Sequence, residues 1–129
     1  LETADGPMTY WRKIRMIATS YSPANSGVSP DAPYYGRTRL GLKVQRGIVA
    51  VDPAVISLRS QVYVPGYGRA LAADTGSGVK GRWIDLAFTD DEFKSWHGCV
   101  DVYLLGPPPP SYLITYRLPN YPTAPCLRR

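Results

Sequence analysis

The chain has 129 residues, room for one domain and not two, and its 44% hydrophobic and 19% charged residues can build a buried core, which excludes global disorder. No apolar run is long enough for a bilayer-spanning helix. Lys and Arg outnumber Asp and Glu by 15 to 10, a net charge of +5 that favours an anionic partner; the cations are scattered, with neither a basic helix nor an RNA-reading aromatic signature, so nucleic acid is not expected.

Thirteen prolines and twelve glycines suit short strands joined by turns better than a helical bundle. Residues 1–10 lack periodicity and read as a flexible leader, and a start at Leu1 in place of Met reads as a processed or trimmed piece. Lys13–Tyr21 alternates as a strand, with Ile14, Met16 and Ala18 on one face. The following loop, 22–39, is rich in Pro, Gly, Ser and Asn. Loops of that length in compact domains are usually functional or disordered, and Tyr34 and Tyr35 within it favour function. Residues 47–52 (GIVAVD) form an apolar strand, after which Asp52 and Pro53 read as the N-cap and first residue of a short helix. Strands follow at 61–65 and 69–74, then a tight turn at Thr75–Gly78 and a strand at 83–88. Thr89 and Glu92 make a capping box that opens a second short helix. Val100–Leu105 closes the set, and Pro107–Pro110 begins a Pro-rich arm over 106–129, with one edge strand over Tyr112–Leu118. The expectation is an all-β barrel over residues 11–105, with six short strands and one or two small helices.

Cys99 and Cys126 each stand alone and His97 is the only histidine, so no metal pattern is present. In an exported protein the two cysteines could pair and tie down the arm; otherwise they are two unrelated thiols.

Three aspartates stand out. On the strand WIDLAF, Ile84, Leu86 and Phe88 face the core, while Asp85 lies on the other face between Trp83 and Ala87. A strand carboxylate among apolar neighbours is either solvated or functional, and a partly apolar setting would raise its pKa as a general acid requires. Trp83 beside a carboxylate, with Tyr34 and Tyr35, suits the apolar face of a sugar ring. Asp74 ends a strand before Thr75 and Gly76, where turn capping is the ordinary explanation, and capping alone also accounts for Asp52. The Asp-Thr-Gly sequence at 74–76 also occurs in aspartic proteases, but a single copy would require a homodimer.

The stretch GIVAVDPAVISL, then VYVPGYGRALAADTGSGVKGRWIDLAF, then VDVYLL resembles the 3D (three-aspartate) domain of bacterial cell-wall proteins. That family includes stationary-phase survival proteins akin to resuscitation-promoting factors and the catalytic barrel of membrane-bound lytic transglycosylase A. The likeness runs from about Ile17 to Leu105, and Asp52, Asp74 and Asp85 match the namesake aspartates in order and motif. Ser57-Leu58-Arg59 and Gly76-Ser77 depart from the family's usual Pro-Leu-Gly and Gly-Gly. The resemblance implies a six-stranded double-psi β-barrel and peptidoglycan as partner. It further implies cleavage of the β-1,4 bond between N-acetylmuramic acid and N-acetylglucosamine to a 1,6-anhydro product. Asp85 would be the acid and base, Asp74 its tuning neighbour, and Asp52, Thr19, Tyr21, Tyr35, Trp83, Thr75 and Gly76 substrate contacts. A non-catalytic wall-binding barrel is the alternative. The reading requires no metal or cofactor, places the protein outside the cell at a bacterial wall, and leans to a monomer.

Overall fold

Period-two alternation organises the chain into a barrel with an apolar interior. The computed structural model describes residues 1–113 and 126. The strands are β1 (Glu2–Thr3), β2 (Gly6–Pro7), β3 (Tyr10–Tyr21), β4 (Ile48–Ala50), β5 (Gln61–Val64), β6 (Gly68–Asp74), β7 (Trp83–Ala87) and β8 (His97–Leu105). The last six close into a barrel in the order β3-β7-β4-β6-β5-β8. Two pairs are parallel, β3 with β7 and β4 with β6, and the other contacts are antiparallel. The expected closed, six-stranded, nearly all-β architecture is therefore present.

Alternate residues fill the barrel: Ile14, Met16 and Ala18 from β3, Ile84 and Leu86 from β7, and Val62 and Val64 from β5 are buried in one cluster. Burial of the Ile, Leu, Val and Met side chains among these contributes about 1.5–3 kcal/mol each. The outward face of β3, β4, β6 and β7 is also covered. Tyr21, Ala50, Ala73 and Ala87 form a second cluster with Val44 and Val79, which come from the segments lying over those strands. The reverse face of the strand bearing Asp85 is thus half-buried and not simply solvated.

Two expected helices do not form. Asp52 caps as expected, its Oδ1 accepting the Ala54 N–H (2.9 Å) and its carbonyl the N–H groups of Val55 and Ile56. That single turn ends where Val55 and Ile56 enter the core and Arg59 takes a positive φ of 75°. Thr89 and Glu92 likewise close one turn, with Glu92 N–H donating to Thr89 O (3.2 Å), before Phe93 and Trp96 are drawn against the core. One hydrogen-bonded turn does not offset helix nucleation when core packing redirects the next residues. Within residues 1–113 the helical elements are single 3₁₀ turns at Pro23–Asn25 and Ser111–Leu113. Residues 1–10, expected to lack regular structure, hold the β1–β2 hairpin. Beyond Leu113, the edge strand expected over Tyr112–Leu118 lies outside the described residues.

Candidate functional site

The barrel register sets one transverse row across four neighbouring strands. Thr19 of β3 is partnered by Asp85 of β7, Asp85 by Ala50 of β4, and Ala50 by Asp74 of β6. The last pairing depends on an irregularity: the β4–β6 register slips after Val49 and skips Ala73. A regular ladder would set Ala73 opposite Ala50; the bulge brings Asp74 into the row instead. Ala50, buried and small, is the floor between the two carboxylates.

Above that floor is a cavity of about 460 Å³, lined by Tyr21, Ala50, Asp74, Thr75, Gly76, Val79 and Asp85 from the barrel side. Asn25, Ser26, Tyr34, Arg37 and Arg39 of the long loop complete its lining. Gly76 is closely packed: a Cβ there would lie 3.1 Å from Val79 Cγ2.

The two cavity carboxylates have different surroundings. Asp74 accepts three hydrogen bonds, from Tyr21 Oη (2.7 Å), Arg39 N–H (2.9 Å) and Thr75 N–H (2.9 Å). It holds the loop to the barrel and occupies the Tyr21 hydroxyl. Burial, followed by the charge and hydrogen bond of Asp74, pushes the Tyr21 hydroxyl pKa well above its usual range, so Tyr21 stays protonated. Asp85 accepts one hydrogen bond, from Thr19 Oγ1 (3.0 Å), and Thr19 in turn accepts from Trp83 Nε1 (2.9 Å). Burial raises the Asp85 carboxyl from 3.8 to about 6; the Thr19 bond opposes this and the Asp74 charge adds to it. The arrangement is one carboxyl able to carry a proton near neutral pH beside a second carboxylate bound into the scaffold.

The structure brings Asp74, Asp85, Tyr21, Thr75 and Gly76 together in the cavity and leaves other expected contacts outside it. Asp52 does not line it: it is buried, and its oxygens are taken by the amides of Ala54 and Gly81 (2.8 Å), which tie the turn after β4 to the segment before β7. Gly81 sits at a φ of 64°, where a side chain would be strained. Trp83 packs on the outer cluster and buttresses Thr19 instead of forming the wall. Tyr35 lines a neighbouring depression, whereas Tyr34, 63% exposed, is at the cavity edge. Sequence reasoning missed Ala50, Arg37 and Arg39: a small strand residue and two loop cations carry no local signal of convergence. The open question about the cysteines resolves as a Cys99–Cys126 disulfide.

Residues 47–106 match the 3D domain family. A 79-residue stretch is 40% identical to the cell wall-binding protein YocH of Bacillus subtilis (strain 168), covering 58% of this chain and 25% of that protein. An 81-residue stretch is 43% identical to YabE of the same organism, named as a candidate cell wall shaping protein, covering 60% of this chain and 18% of that one. The chain thus spans a quarter or less of the length of these relatives. The aspartates of the row, Asp74 and Asp85, and the loop-tying Asp52 all fall within residues 47–106, the part of the chain that matches the 3D domain family.

Proposed function

We propose that the protein acts on peptidoglycan as a lytic transglycosylase, with Asp85 as the single acid and base. The observation that carries this reading is the row Thr19–Asp85–Ala50–Asp74 at the floor of a cavity walled by the 22–44 segment. Ordinary glycosidases use two free carboxylates, one of which activates water or attacks the sugar. Here the second, Asp74, is engaged by three donors of its own chain. A single free carboxyl suffices where the nucleophile is already tethered to the substrate, as the muramoyl C6 hydroxyl is. Protonated Asp85 gives its proton to the glycosidic oxygen as the C1–O4 bond breaks. The resulting carboxylate takes the proton from O6 as the O6–C1 bond forms, which restores Asp85 and leaves a 1,6-anhydro sugar without consuming water. Thr19, itself held by Trp83, fixes the Asp85 carboxyl, and the negative charge of Asp74 helps keep it protonated.

The names of both relatives support a role at the cell wall, and that of YocH favours a second reading in which the barrel binds wall glycan without cleaving it. The disulfide fits an oxidising, extracellular location, because such bonds persist there and not in reducing cytosol.

Incubation with purified sacculi, followed by mass spectrometry of the soluble fraction, separates the two readings. Anhydro-muropeptides are expected from the native chain, and Asp85→Asn should lower their rate of release by about 10²–10⁴-fold, the usual loss on removing a general acid. Binding without soluble product would establish the adhesive reading. Full activity in Asp85→Asn would overturn the assignment of Asp85.

A further inference from the structure

Residues 36–44 form a small hairpin over the cavity. Val44 N–H donates to Gly36 O (2.9 Å), Thr38 N–H donates to Leu42 O (2.7 Å), and Arg37 and Lys43 are direct antiparallel partners. Such partners project side chains from the same face, and like charges directly opposite destabilise the pair. Neither cation is relieved by an ion pair or side-chain hydrogen bond among the described residues. Both line a second depression of about 520 Å³, together with Tyr35, Asp90 and Asp91. Arg37, Gly36 and Val44 line the Asp85 cavity as well, so the two spaces adjoin across this hairpin. The hairpin is fixed relative to Asp85: Leu40 N–H donates to Ala73 O (3.1 Å) and Arg39 N–H to Asp74 Oδ1.

We propose that Arg37 and Lys43 form an anion site that binds a carboxylate carried by the substituent of the sugar seated at Asp85. Two unrelieved cations on an ordered hairpin have a local cost that a carboxylate between them removes. Arg37, which lines both spaces, sets that carboxylate next to the ring being cleaved. The carboxylate could belong to a peptide attached to the glycan or, where no peptide is attached, to the lactyl group itself. This inference rests on the reading of the Asp85 cavity as a glycan site.

The test is titration of the full chain with two soluble glycan oligomers, one bearing its peptides and one stripped of them by an amidase, which leaves free lactyl carboxylates. The proteins compared are the native chain, the double variant Arg37→Gln/Lys43→Gln, and Lys13→Gln as a control for an exposed cation elsewhere. The double variant should bind one of the oligomers roughly tenfold more weakly, as expected when a charge-assisted contact is lost, with Lys13→Gln unchanged. Loss confined to the peptide-bearing oligomer assigns the site to the peptide, and loss confined to the stripped one assigns it to the lactyl group. Thermal stability of the double variant should equal or exceed that of the native chain, because repulsion is removed. Native binding that the double variant retains in full, or loses no more than Lys13→Gln does, overturns this inference and leaves the glycan site standing. Failure of the native chain to bind either oligomer overturns both.

Discussion

At the scale of single residues, two carboxylates of like chemistry are given different tasks by their neighbours. Asp74 meets three donors and becomes part of the scaffold, whereas Asp85 meets one and is lifted to about 6 by burial. An upward shift means that ionising Asp85 costs more in the folded chain than in the unfolded one. Its favourable contribution is complete below its ordinary pKa of 3.8 and is lost as pH rises through about 6. Asp85→Asn, which cannot ionise, should therefore melt above the native chain at neutral pH. That advantage should vanish below pH 3.8, so melting curves across this range that keep a constant gap would contradict the assignment. The same proton governs chemistry: glycan release by the native chain should fall as pH rises through about 6. Asp74→Asn removes one contributor to the upward shift, and its pH–rate profile should show the same fall displaced to lower pH.

At the scale of elements, regular strands position side chains and one irregularity brings them together. Alternation in the sequence was enough to place Ile14, Met16 and Ala18 inside and to put Asp85 on the face opposite Ile84 and Leu86, because side-chain direction along a strand is a local property. Convergence is not local. The slip that skips Ala73 depends on pairing between strands whose registers no single segment encodes, and so does the contact of Asp74 with Arg39. The capping signals at Asp52 and Thr89 each close one turn, yet neither opens the short helix expected after it, because Ile56, Phe93 and Trp96 pack on the barrel. For Asp52, the functional expectation and the structural one also separate at this scale. Asp52→Ala leaves the buried Gly81 amide without its acceptor, at a cost of about 1–3 kcal/mol. Urea unfolding should show this loss, while glycan release per folded molecule stays close to native. A variant of native stability but without activity would instead place Asp52 at the substrate.

At the scale of the whole molecule, the closed barrel leaves no unpaired sheet edge among its six strands, and one covalent link joins the end of the chain to it. Cys99 lies on β8, partnered by Ile17 of β3, while the row at the site comes from β3, β7, β4 and β6. The disulfide therefore bears on stability more directly than on chemistry. Its partners are 27 residues apart, a separation for which the chain-entropy account gives about 3–4 kcal/mol of stabilisation through the unfolded state. The double variant Cys99→Ser/Cys126→Ser, or the native chain under reductant, should unfold at correspondingly lower urea. Its barrel should nevertheless form, since Val102 and Leu104 of β8 supply that strand's core contacts without the sulfurs. Once folded, it should release glycan at the native rate. Unchanged urea stability would mean that the linked segment does not unfold together with the barrel. Loss of activity at retained fold would mean that the segment held by Cys126 contributes to the site.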